Sequence, residues 1–165
     1  MTITVEPEQI LDHLTSLEDE LLDLCGELVA IESPSPEPAA TRQVLERLTT
    51  ELDELGYRYR MSKPNQSGGY LYARPARRRR HHPTQLVVGH VDTVWPIGTL
   101  ETRPWRVENN IARGPGVFDL KAGVVQILFA LRSLRDLGLQ PTATPVVLFN
   151  SDEEIGSRES TPVID

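Results

Sequence analysis

His90 and Asp92 stand two positions apart, and Asp119 and the adjacent pair Glu153 and Glu154 follow further along the chain. Each group comes after a short apolar or Gly-rich segment of the kind that ends a buried strand. Histidine nitrogen and carboxylate oxygen gathered at strand ends suit zinc or a similar divalent cation, so the leading chemistry is metal-dependent hydrolysis. In an extended segment, side chains two apart project to the same side. His90 can then bind a metal through one ring nitrogen while the other donates to Asp92, which fixes the tautomer and raises ligand basicity. The same residues also fit a satisfied interior histidine followed by an Asp-Thr cap. Glu153 and Glu154 point in nearly opposite directions if extended, so one can ligate and its neighbour act as general base. A solvated acidic loop is the alternative for that pair, and Asp152 reads as a capping or solvated carboxylate. Asp119 follows Gly114, Pro115 and Gly116, but Lys121-Ala122 stands where a nucleotide loop needs Lys-Ser/Thr, and a carboxylate there repels phosphate. An acid that bridges two cations makes better use of the position.

The elements that must position these residues are legible from periodicity. Ile10, Leu14, Leu17, Leu21, Leu24 and Leu28 recur at helical spacing and predict one helix over about residues 8 to 31, with Cys25 a small core residue beside the stripe. The Ser-Pro-Ser-Pro-Glu-Pro run at 33–38 breaks it. A second helix is expected from Ala39 to Leu55, stopped by Gly56. Two short strands, 57–61 and 70–73, flank a turn. Leu86 to Gly89 reads as a buried strand delivering His90. The segment 95–116 is loop-rich, with one strand near Asn110 to Ala112. A third helix runs from Lys121 to Leu137, and a last buried strand, 145–150, delivers Asp152, Glu153 and Glu154. Apolar strands alternating with helices predict an α/β sheet covered on both faces, with ligands beyond the C-terminal strand ends.

The chain of 165 residues, 39% hydrophobic with a net charge of −7, reads as one soluble globular domain. Its acidity argues against a general nucleic-acid binder. The basic run Arg77 to Arg80 has no interleaved aromatic platform and reads, with His81 and His82, as a solvated hairpin tip. There is no signal-peptide pattern and no apolar stretch long enough to span a bilayer, and the single cysteine fits a reducing compartment, so a cytoplasmic protein is expected. Trp95 and Trp105 can line a substrate cleft, with packing under the long loop the expected role, and His13 is expected at the surface.

Three segments resemble the N-terminal motifs of the zinc aminoacylase and carboxypeptidase family, which includes glutamate carboxypeptidase, succinyl-diaminopimelate desuccinylase, acetylornithine deacetylase and peptidase T. They are Val-Val-Gly-His-Val-Asp-Thr-Val at 87–94, Ala-Arg-Gly-Pro-Gly-Val-Phe-Asp-Leu-Lys-Ala-Gly at 112–123 and Asn-Ser-Asp-Glu-Glu-Ile-Gly-Ser at 150–157. The resemblance implies a three-layer sandwich with a mostly parallel mixed sheet between helices. It implies two divalent ions, zinc first, with cobalt or manganese as alternatives. His90 would ligate one ion, Glu154 the other, and Asp119 both. Asp92 would orient His90, Glu153 would be the general base, and the Asp119-Leu120 peptide would be cis. The implied substrate is a peptide or N-acyl amino acid with a free carboxylate, with neither nucleic acid nor membrane as partner.

Members of that family are longer. They carry a further acidic ligand shortly after the Glu-Glu pair, a histidine ligand near the C-terminus, and an inserted lid domain through which many form homodimers. Residues 1–165 are thus expected to be the N-terminal portion of a catalytic domain without its lid, with one protein ligand of each metal missing and no turnover alone. The alternative is a non-catalytic fragment that associates with a complementary half or another protein.

Overall fold

The computed structural model describes residues 6–77 and 81–164. Helix α1 spans Pro7–Ser16 and α2 spans Glu18–Ala30, so the single long helix expected here is broken at Leu17 (φ −103°, ψ 7°). The Ser16 hydroxyl donates to the His13 carbonyl at 2.7 Å, the kind of local side-chain bond that competes with the helical ladder. The apolar stripe survives the break, because Leu17, Leu24 and Leu28 are all buried. Helix α3, Pro38–Glu54, starts on a proline and ends just before Gly56, whose φ of 71° meets the expected stop.

Strands β1 (Tyr57–Met61), β2 (Tyr70–Pro75) and β3 (Thr84–His90) come next. The short helix α4 (Thr99–Thr102) follows, then strands β4 (Arg106–Glu108) and β5 (Ile111–Arg113). Asn109 and Asn110, with φ of 53° and 59°, turn β4 back onto β5. The sequence reading expected one strand there. Consecutive asparagines in the left-handed region are the signature of a tight hairpin and account for the second. Helix α5 (Ala122–Asp136), strand β6 (Thr144–Asn150) and the short helix α6 (Thr161–Ile164) complete the described fold.

The main sheet has the order β1-β2-β6-β3. It is a mixed α/β sheet, but among the described residues only the β3 to β6 pairing is parallel, its crossover being made by α5. Leu71, Ala73, Val147 and Phe149 join the buried residues of α2, α3 and α5 in one core cluster. Val146 and Leu148, on the other sheet face, are buried outside that cluster. Because β3 is an edge strand, Leu86 and Val88 are 40% and 43% exposed, and the strand expected to be buried is buried only toward His90. Strands β2 and β3, between which the Arg77 to Arg80 run falls in sequence, are not paired with each other but lie on opposite sides of β6. Arg78 to Arg80 themselves fall outside the described residues. His13 is not free at the surface: its Nε2 lies 3.6 Å from Asp136 Oδ2 on α5, in a side chain only 19% exposed.

Candidate metal centre

The parallel pair β3 and β6 ends in register, His90 opposite Asn150, and this brings the first and third motifs side by side. Beyond His90 the chain continues as a buried rib. Thr93 N–H donates to Ser33 O at 2.9 Å and Ser35 N–H to Thr93 O at 3.2 Å, while the Ser33 hydroxyl donates to Val91 O at 2.7 Å. The Ser-Pro run is therefore more than a helix breaker. Its Ser35 hydroxyl donates to Asp92 Oδ2 at 2.7 Å, and both side chains are buried.

Asp92 organises the site. Its carboxylate lies 3.3 Å from His90 Nδ1, which is also 3.1 Å from the Asp92 carbonyl. The same carboxylate accepts the backbone N–H groups of Glu153 at 3.2 Å and Glu154 at 3.1 Å. One buried side chain thus orients the histidine and anchors the turn that carries both glutamates. Burial works against the charged form, but the bonds from His90, Ser35 and the Glu154 amide outweigh it and hold Asp92 below the usual carboxylate range.

The second motif arrives through a glycine turn. Gly116 has φ 71°, and a Cβ there would lie 2.5 Å from Thr93 Cγ2, so glycine lets this turn press against the rib. In the irregular turn Val117–Lys121 that follows, Asp119 (φ −131°, ψ 98°) leaves helical geometry, and the Asp119-Leu120 peptide is cis, as the resemblance implies. Lys121 is buried beneath it and donates from Nζ to Leu28 O at 2.9 Å and Ile31 O at 2.7 Å at the end of α2. Burial pushes its pKa down to about 8. This pin between the Asp119 turn and α2 had no signal in the sequence beyond a lysine at a helix start.

His90 Nε2 lies 2.9 Å from Asp119 Oδ1 and 3.9 Å from Glu153 Oε2. Burial disfavours the imidazolium, but the bonds to Asp92 and Asp119 and the charges of Asp92 and Glu153 prevail and raise its pKa to about 9. Glu153–Ile155 forms a turn of 3₁₀ helix and not an extended segment, so the two glutamates diverge by about a third of a turn instead of facing opposite ways. Glu153 is exposed, and Glu154 is half-buried with its pKa raised by burial and by the Asp119 charge. Ligand atoms of His90, Asp119 and Glu154 all lie within 4.8 Å of one another. Nitrogen and carboxylate oxygen at this spacing, with burial and the Asp119 charge disfavouring the ionised form of Glu154 and Lys121 turned away to α2, fit a divalent cation. Asp152 takes no part. Its Oδ2 accepts the N–H groups of Glu159 at 2.7 Å and Ser160 at 3.2 Å, the capping role expected of it. Trp105 packs so closely on α2 that a Cβ at Gly26 would lie 2.7 Å from its Nε1.

Residues 86–165, which carry all three motifs of this centre, match the family model described as Peptidase family M20/M25/M40. Over these residues the chain is similar to that family. It is 44% identical over 79 residues to Carboxypeptidase G2 of Pseudomonas sp. (strain RS-16), an alignment covering 48% of the chain and 19% of the relative. It is 26% identical over 158 residues to N-formyl-4-amino-5-aminomethyl-2-methylpyrimidine deformylase of Halalkalibacterium halodurans, covering 90% of the chain and 36% of that relative. The fold is shared with the di-peptidase Dug1p of Saccharomyces cerevisiae (TM-score 0.80, 18% identity, 94% of the chain and 36% of the neighbour). Human carnosine dipeptidase 1 shares it as well (TM-score 0.76, 20% identity, 95% and 37%). The chain therefore spans between 19% and 36% of the lengths of the two sequence relatives. No described helix is long and apolar enough to cross a membrane.

Proposed function

We propose that residues 1–165 are the N-terminal portion of the catalytic domain of a metal-dependent hydrolase that cleaves an amide bond in a peptide or N-acyl amino acid. The observation that carries the reading is the meeting of His90, Asp119 and Glu154 within 4.8 Å, on a frame set by Asp92. The carboxypeptidase and dipeptidase names of similar proteins support a peptide substrate, and the deformylase name supports an N-acyl group. The proposed complement is two divalent ions, zinc first and cobalt or manganese as alternatives, with Asp119 shared between them. A single buried, free cysteine supports a cytoplasmic location, with neither nucleic acid nor membrane as partner.

In this reading Asp92 holds the His90 ring through Nδ1 and leaves Nε2 to the metal, and Asp119 and Glu154 supply the oxygens. Bound divalent ions supply the charge that acidifies water and polarises an amide carbonyl. Glu153, exposed on the turn beside the cluster, accepts the proton of the attacking water on a carboxylate oxygen and returns it to the leaving amine nitrogen. Among the described residues each of two such ions would have two ligands, His90 with Asp119 and Asp119 with Glu154, so residues 1–165 alone are expected to hold zinc weakly and to catalyse no turnover.

Calorimetric zinc titration tests this. Weak, saturable binding that His90→Ala and Asp119→Ala each abolish is the expected result. No binding at millimolar zinc, or binding that survives both substitutions, overturns it, and metal-dependent turnover by the 165-residue polypeptide would overturn its inactivity. A second reading, association with a complementary half or a partner protein, is favoured by the exposed Leu86 and Val88 on edge strand β3. A monodisperse monomer in solution would count against it.

A further inference from the structure

Beside the metal-ligand turn lies a cavity of about 300 Å³ whose lining includes Trp95, Arg103, Arg106, Arg113 and Pro115. Its charge is one-sided. Arg106 and Arg113 face each other directly across the β4–β5 pair, where like charges destabilise a sheet. Arg103 completes the group with its guanidinium stacked on the Trp95 ring, 4.6 Å from the centroid, which holds an exposed side chain in place. Among the described residues the only carboxylate paired with any of the three is Glu108, 3.6 Å from Arg106 Nε on the same strand. Three cations gathered in a concavity of a chain whose net charge is −7 are not explained by general surface composition. Arginines lining a small cavity are matched by an oxyanion, which can accept paired N–H donors from a guanidinium.

We propose that this cavity is an oxyanion-binding subsite, lined by Arg103, Arg106 and Arg113, that receives a carboxylate or phosphate group of a small molecule. Part of its wall comes from the two segments that build the metal centre, and the rest, with Arg103 and Arg106, from residues 102–106 between them. Trp95 follows Asp92 on the chain, and Arg113 opens the Gly114-Pro115-Gly116 turn that leads to Asp119. An acidic group seated there belongs either to the substrate whose amide lies at the metal centre or to a free anion bound beside it. The first of these sources rests on the hydrolase reading, whereas the anion site itself does not.

The test is calorimetric titration of the protein, held metal-free with a chelator, with N-acetyl-L-glutamate, inorganic phosphate and neutral N-acetyl-L-alaninamide. Binding of at least one anion and not of the amide is expected. Arg103→Gln and Arg113→Gln are each expected to weaken it about tenfold, the loss of one charged hydrogen-bonding group. Arg58→Gln, on β1 of the other sheet, should leave it unchanged. Thermal melts guard against misfolding: relief of the Arg106 to Arg113 repulsion should raise the Arg113→Gln midpoint, while phosphate or N-acetylglutamate should stabilise Arg103→Gln and Arg113→Gln less than the unaltered protein. Tighter N-acetylglutamate than phosphate assigns the subsite to substrate, and the reverse assigns it to a free anion; both support the site. No anion binding, or binding that both glutamine variants retain in folded form, overturns it. Because no metal is present, failure here is separate from failure of the zinc titration.

Discussion

Two sets of carboxylates sit within a few residues of each other after β6, and they are treated in opposite ways. Asp152 and Glu159 are spent on the backbone and on hydroxyls: Asp152 on the N–H groups of Glu159 and Ser160, Glu159 on the Gln66 N–H at 2.7 Å and the Ser67 hydroxyl at 2.7 Å. Among the described residues Glu153 and Glu154 carry no such partners on their side chains; Glu153 lies 3.9 Å from His90, and Glu154 gathers with His90 and Asp119, where burial and the Asp119 charge raise its pKa. Asp92 stands between the two kinds, being fully satisfied like the structural acids yet bonded to the site histidine and to the amides of both glutamates. A carboxylate whose oxygens are filled by protein donors stabilises the fold, and one left facing other acids is available to a cation.

Asp92→Asn should break this comparison most severely, since it removes both kinds of role. Its amide would face two backbone N–H donors, and a loss of about 3 kcal/mol in urea unfolding is expected together with a roughly 10- to 100-fold loss of zinc affinity. A variant that weakened zinc alone would show that Asp92 is no structural centre. Asp119→Asn should separate the roles. Its side chain is 64% exposed, so stability should change by less than about 0.5 kcal/mol while zinc binding disappears from the calorimetric titration. Equal losses of stability and binding would erase the distinction drawn here.

Glu159→Gln should give the smallest effect and one confined to folding, about 1 to 2 kcal/mol at pH 7 with zinc affinity unchanged. Its pH dependence carries a sign. Burial alone would raise the Glu159 pKa, but the bonds from Ser67 and Gln66 outweigh it and keep the folded value below the ordinary 4.5. A carboxylate depressed in the folded state stabilises above its unfolded pKa, and that contribution is lost as pH falls through the folded one. The difference between the two proteins in urea midpoint should therefore be full at pH 7 and shrink below about pH 4.5. A gap that persists in acid would assign the effect to shape and not to charge.

The sequence carried the donor chemistry of the centre and the strand ends that deliver it, because apolar runs and turn residues are local signals. By itself it determined that α3, β3, α5 and β6 form where they do, and that His90, Asp119 and Glu154 are of a type and order suited to a divalent cation. Local pattern failed wherever a competing local bond or a distant partner decided the outcome. The break at Leu17 sits beside a Ser16 hydroxyl bonded to the His13 carbonyl, and Asn109 with Asn110 adds a strand that apolar spacing does not mark. Only the tertiary structure decided that Ser35 holds Asp92 across 57 residues of chain, that Lys121 pins the Asp119 turn to α2, and that three arginines share one cavity. The physical reason is that hydrogen bonds and charge clusters are made between surfaces brought together by packing, and the burial that gives those contacts their energy exists only once the sheet and helices have met.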